Sequence, residues 1–288
     1  MDFSPGALLA SSIDGLMVGF VYGLAAMGLT LIFGVIKVIN LAHGPVMVLG
    51  MFASLVLSQT FGINPYLGLF IVVLLGLGWG VAMYFISVHP VLNAPERTTL
   101  LATFAVNLMM VGLGTVIFTT TPRALDVDLG AVRSGAVTIL GTTSVAVLIA
   151  VLFSVGLYLF LYRTRTGKSI RAVANNRGAA QLMGIDATWV LALSFGIGIT
   201  MAMVSGTLLA TLFSFTVISG GVYQTKSFVI VVLGGLGNPI GALLGGVVIG
   251  LLEGMFAIFI PVGWVPVIEF GVFVLILIIR PTGLLGAR

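Results

Sequence analysis

Few side chains in this sequence can carry charge or move a proton, and their surroundings restrict what they can do. Glu253 lies inside the apolar run 247–256. A carboxylate at a bilayer centre costs about 2.5–3.5 kcal/mol, so Glu253 must face the interior, hold a proton or pair. It reads either as the proton site of a proton-coupled carrier or as a hydrogen-bonding group that locks helix packing. No second acidic or basic residue is expected mid-span to complete a relay, and Asp14 and Glu269 are expected to reach the interface. His43, beside a helix break, is either a proton site or a donor to a freed carbonyl. His89, ahead of Pro90, reads as a cytoplasmic loop residue. Asn107, mid-span, must find a partner across a helix interface or line a cavity. The triplet Gly167-Lys168-Ser169 is not a phosphate-cradling loop, because Tyr162 stands where that motif requires glycine. No metal cluster, carboxylate pair or nucleophile–base set is found, so no enzyme, metal or cofactor is expected.

The composition says what positions these residues. The chain has 288 residues, 59% hydrophobic and 7% charged, against about 25% charged in soluble proteins. That excludes a soluble domain and disorder alike. The 39 glycines follow no collagen period and suit close helix packing in lipid. Cysteine is absent, which removes disulfides and thiolate metal sites. A net charge of +4 raises the question of a nucleic-acid partner, but the basic residues fall in loops between apolar runs, so membrane lipid is the expected surroundings and no nucleic acid.

A helix needs about 20 apolar residues to cross the hydrocarbon core, and an open sheet would leave unpaired edges in lipid. The expected fold is an all-α polytopic membrane protein of about eight or nine segments. They are placed at 15–36, 45–60, 65–88, 98–119, 142–162, 187–213, 226–237, 239–260 and 264–280; the seventh is too short to cross as a regular helix. No basic residue precedes Lys37, so a cleavable signal is not expected and the first span should remain. Lys and Arg are retained on the cytoplasmic side. Arg163, Arg165, Lys168, Arg171 and Arg177 place the loop after the fifth span inside, and Lys37, Arg97, Arg280 and Arg288 join them. Arg123, Arg133 and Lys226 are left outside with Asp2, Asp126 and Asp128. The N-terminus is then outside and the C-terminus cytoplasmic. Tyr66, Trp189, Tyr223 and Trp264 fall near span ends, as interfacial anchors do.

Two segments interrupt apolar helices: 38–45, with Asn40, His43, Gly44 and Pro45, and 233–241, with Gly234, Gly235, Gly237, Asn238 and Pro239. Each ends in a proline that opens the next helix, where its missing N–H costs nothing. They read either as surface loops or as broken, re-entrant segments beside a pathway. Broken segments in corresponding halves would make a pseudo-symmetric internal repeat. The cytoplasmic segment 167–186 is helix-permissive and too polar to span. Ile170, Val173, Ala174, Leu182 and Met183 fall on loosely helical spacing, and Gly184 supplies a stop. It is either a short helix fitted to a groove on another protein or a topogenic loop.

The segments 28–44, 171–175, 179–185, 232–237 with 241–246, and 280–286 together resemble, in order and spacing, the LivH-type permease subunit of branched-chain amino acid ABC importers. The resemblance implies one transmembrane permease domain over 1–288 in a bacterial inner membrane. Its expected partners are a second, homologous permease subunit, two cytoplasmic ABC ATPases that hydrolyse the ATP, and a periplasmic substrate-binding protein delivering branched-chain or related small amino acids. The stretch 163–186 would then be the coupling element on an ATPase, through Arg171, Ala172, Asn175, Ala179, Ala180 and Gly184. Asn40, His43, Gly44, Asn107, Gly234, Gly235, Gly237, Asn238 and Glu253 become candidates for the translocation path. Pro45, Asn175 and Asn176 stand where members of the family often carry acidic residues. Urea- and amide-type importers share the Asn-Leu-Ala-His-Gly signature, so the solute stays open.

Overall fold

The computed structural model describes residues 5–134, 137–280, 283 and 285. Asp2, Arg288 and the Pro281, Thr282, Leu284 and Gly286 positions of the C-terminal motif lie outside the described residues. The helices are α1 (Pro5–Ile36), α2 (His43–Phe61), α3 (Pro65–Met83), α4 (Glu96–Phe118), α5 (Gly141–Arg163), α6 (Arg165–Asn175), α7 (Arg177–Leu182), α8 (Ala187–Ala210), α9 (Gly220–Gly234), α10 (Pro239–Phe256) and α11 (Val265–Ile279). Eight of the described segments are long and apolar enough to cross a membrane, and α11 is a shorter apolar helix. The all-α membrane architecture read from composition is the one observed. One small addition is a hairpin of β1 (Ala131–Ser134) and β2 (Val137–Leu140), paired antiparallel between α4 and α5.

α1 and α8 form the centre, each largely buried. Close approach is what glycine supplies here, since in lipid helices gain from contact rather than from leaving water. Gly15, Gly19 and Gly23 repeat every fourth residue on α1, and Gly246, Gly250 and Gly254 do so on α10. These two ridges meet antiparallel, so that a Cβ added at Gly19 would lie 2.8 Å from the Gly246 carbonyl oxygen. The Ser11 hydroxyl donates to the Gly254 carbonyl at 2.6 Å. α3 meets α8 in the same manner: a Cβ at Gly80 would lie 2.7 Å from Gly196 Cα, and one at Gly76 2.9 Å from Thr200 Cα.

These contacts reveal the repeat, but with a pairing different from the one expected. α1 packs on α10 as α8 packs on α3, and α2 and α9 take equivalent places beside them. Asn64-Pro65 and Asn238-Pro239 stand at the same chain interval as Gly76 from Gly250 and Gly80 from Gly254. Both asparagines cap their helices: Asn64 Oδ1 accepts from Tyr66 N–H, and Asn238 Oδ1 from Ile240 and Gly241 N–H. The 233–241 turn therefore corresponds to the α2–α3 turn. The counterpart of 38–45 is 211–219, between α8 and α9, and the N-termini of α2 and α9 meet where Gly44 touches Gly220. Proline after a polar residue marks both kinds of junction, which is why the sequence alone pairs the wrong two.

Two further expectations are corrected. The seventh segment begins at Gly220, not 226, and Lys226 is a buried residue inside α9 rather than an outer loop charge. Glu269, expected at the interface, is also buried. The two side chains lie against each other inside the bundle, away from water. A relay partner for Glu253, expected to be missing, is thus present: Lys226 Nζ lies 2.7 Å from Glu253 Oε2 and 3.2 Å from Glu269 Oε1.

Candidate functional site

α1 ends where Lys37 turns into the left-handed region, at φ 61°, and residues 37–40 run without regular structure to the start of α2. Backbone groups freed in this way must be paired by neighbouring helices or water if they lie away from the aqueous phase. Here α4 and α9 pair them. Thr103 Oγ1 donates to the Ile39 carbonyl (3.2 Å) and accepts from Leu41 N–H (3.3 Å). Asn107 Nδ2 donates to the Leu41 carbonyl at 2.9 Å. Gln224 of α9 accepts from Gly44 N–H at 2.6 Å and donates to the Asn40 carbonyl at 3.3 Å. Asn40 folds its own Oδ1 onto Ala42 N–H at 3.0 Å.

This first break is therefore a built polar node within an apolar bundle. Asn40 and His43 are fully buried, and three of their side-chain atoms, Asn40 Nδ2 and both ring nitrogens of His43, complete no hydrogen bond among the described residues. Beside the node, and sharing Pro45 with it, opens an apolar cavity of about 550 Å³ between α2, α3 and α4, walled by Phe52, Leu74, Trp79, Met109 and Phe118. The lining is almost wholly apolar, and neither Asn40 nor His43 is among the side chains that wall it.

The structure joins Asn40, His43, Gly44 and Asn107 in one place. Thr103 and Gln224 complete it and were not singled out from sequence. A threonine and a glutamine opposite a break carry no motif; only the need to pair freed backbone groups points to them. The second break lies elsewhere. Gly234 packs against Gly241, Gly235 and Gly237 have positive φ, and Leu236 and Gly237 are exposed. Asn238 Nδ2 donates to the Leu285 carbonyl at 3.0 Å, and Gly237 lies against Gly34 of α1. This is a turn at one end of the bundle. Glu253 belongs to the Lys226 cluster.

The polar segment after α5 forms two helices rather than one, because Asn176 leaves helical geometry to cap α7, accepting from Ala179 N–H at 3.0 Å. Ile170 and Val173 are buried against the bundle. Arg171 is spent on the end of α5: its Nε donates to the Leu161 carbonyl at 3.1 Å and its guanidinium covers the Tyr162 ring. Ala180 is buried and Ala172 half-buried, whereas Asn175, Ala179 and Gly184 are exposed. Gly184, at φ 79°, ends α7 in the left-handed turn that glycine adopts without cost. Leu182 and Met183 are 90% and 82% exposed on a segment too polar to lie in lipid.

The comparisons agree with this picture. The family model described as branched-chain amino acid transport system / permease component matches residues 11–279. The chain is 28% identical over 302 residues to the high-affinity branched-chain amino acid transport system permease protein LivH of Escherichia coli, covering 96% of this chain and 95% of the relative. It is 28% identical over 295 residues to the corresponding permease protein BraD of Pseudomonas aeruginosa, with the same coverage. Similarity extends to a probable LivH of Methanocaldococcus jannaschii, 30% identical over 280 residues, covering 91% of this chain and 88% of the relative.

Proposed function

Because the chain belongs to the family of permease components of branched-chain amino acid transport systems, we propose that it is the transmembrane permease subunit of an ATP-driven importer of branched-chain or related small amino acids. The observation that carries the reading is the likeness to such permeases along nearly the whole chain. The geometry is in keeping with it. The node around Asn40 and His43 supplies polar contacts, and the adjoining hollow of about 550 Å³ accommodates an aliphatic side chain. An apolar solute end needs no specific partner there, so recognition at high affinity falls to a separate binding protein outside the membrane.

In this reading the two short helices α6 and α7 form the coupling element within 163–186. The sequence lacks a phosphate-cradling loop, with Tyr162 where that motif requires glycine, and in this reading the energy arrives from ATPase subunits pressing on the exposed face of Asn175, Ala179, Leu182, Met183 and Gly184. Arg171 transmits that push into α5 through the Leu161 carbonyl, as a rigid-body displacement. A second permease subunit completes the pathway. The concentration of basic residues in and around α6 supports an orientation with that face in the cytoplasm, the N-terminus outside and the C-terminus inside. With Lys226 moved into α9, only Arg123 and Arg133 remain as outer basic residues.

The test is uptake by vesicles reconstituted with the chain and the subunits that copurify with it. Leucine, isoleucine or valine should accumulate only with ATP and the binding protein, and urea and short amides should not compete. Accumulation driven by a pH gradient without ATPase subunits would replace this reading with a proton-coupled carrier.

A further inference from the structure

Lys226 on α9, Glu253 on α10 and Glu269 on α11 form a cluster that no step of transport described above uses. Lys226 and Glu269 side chains are 9% and 7% exposed, Glu253 30%. Around them stand Tyr22 of α1, whose ring centroid lies 4.4 Å from Lys226 Nζ, and Tyr223, one turn before Lys226 on α9. The cluster thus contains one cation, two carboxyl groups and two phenols. The ammonium offsets one carboxylate. Glu269 Oε1, although within 3.2 Å of the ammonium, completes no hydrogen bond. A second carboxylate charge would be left over among apolar helices, where an unpaired ion is strongly disfavoured. Two carboxyl groups beside one cation resolve such a conflict when one of them keeps its proton.

The internal repeat shows that the fold itself does not require charge here. At the interval that relates Asn64 to Asn238, Lys226 corresponds to Phe52 and Glu253 to Trp79. In the first half these two aromatic side chains line the apolar cavity between α2, α3 and α4, and Phe52 stacks on Phe118 at 4.2 Å. The same wedge is therefore an open apolar hollow in one half and an ionic joint in the other.

We propose that Glu269 keeps its proton beside the Lys226–Glu253 ion pair, so that α9, α10 and α11 meet at an electrically neutral joint. The joint holds while the proton is bound. The buried carboxyl's contribution to stability is fully present below the ordinary carboxyl range and declines as pH rises above it, because the unfolded chain releases the proton that the folded one keeps; the decline ends once Glu269 itself ionises.

Infrared spectroscopy of the full chain in lipid nanodiscs tests this, with glutamate isotope-labelled at the carboxyl carbon to assign the signal. At neutral pH a protonated carboxyl band should be present. Either Glu253→Gln or Glu269→Gln should abolish it, since each leaves a balanced pair that needs no proton. The unsubstituted chain should show a fall in thermal midpoint between the ordinary carboxyl range and the titration of Glu269, and the same two variants should lose it. Lys226→Met should raise the band about two-fold, with both acids neutral, if that variant folds. The two glutamine variants keep shape and neutrality and decide the matter alone. A band absent from the unsubstituted chain, or one surviving in both glutamine variants, overturns the proposal.

Discussion

Asn107 shows how one polar side chain can hold a membrane helix break in place. Its amide nitrogen bonds the Leu41 carbonyl from across the helix interface, and no other described group does so. Asn107→Leu leaves that carbonyl unpaired. Membrane interhelical hydrogen bonds average about 0.6 kcal/mol, with larger values where no alternative partner exists, so a loss of roughly 1 kcal/mol is expected. Thermal unfolding in detergent measures it, and Thr103→Val should produce a loss of similar size. That Asn107 needs a partner follows from sequence alone; that its partner is the 38–45 break does not, because the two are more than sixty residues apart and joined only through the packing of α4. Charge assignments failed for a related reason. Lys226 and Glu269 each look like interfacial residues when read singly, and only their mutual approach, invisible along the chain, permits both to be buried.

Among the elements, the spans were legible because lipid tolerates few charges, so charge-free runs coincide with helices to within a few residues. The exceptions are α1, which begins at Pro5 rather than 15 and takes in Asp14, and α9, whose first turns contain Tyr223, Gln224, Thr225 and Lys226 and read as a loop until their partners on α1, α2 and α10 are seen. The repeat was legible as a tendency and mispaired in detail. The glycine ridges of α1 and α10 make the sharpest element-level prediction. Gly19→Leu places a side chain where even a Cβ is too close to the Gly246 carbonyl, forcing the helices apart at a cost of about 1–3 kcal/mol. Gly112 and Gly156 are helical glycines with nothing within 4 Å of an added Cβ. Gly112→Ala and Gly156→Ala should leave the thermal midpoint unchanged or slightly raised, since alanine is the better helix former. Equal damage from all three substitutions would remove the packing role assigned to the α1–α10 ridge.

At the scale of the whole molecule, two similar four-helix halves enclose different wedges. The first half leaves an apolar hollow beside the node at Asn40 and His43, and the second closes the equivalent place with Lys226, Glu253 and Glu269. Between the halves, α5 carries α6 and α7, the part of the chain with a hydrophobic edge outside the bundle. The account rests on the claim that this edge is where an external motor takes hold. A photo-crosslinking amino acid placed at Leu182 or Met183 in the intact cell measures it directly. The account predicts that illumination joins the chain to a cytoplasmic ATPase subunit, and that the adduct disappears when Gly184→Trp distorts the turn. Labelling of a cysteine at Gln181 by a reagent that does not enter the cell, with no ATPase adduct from either crosslinking position, would contradict it.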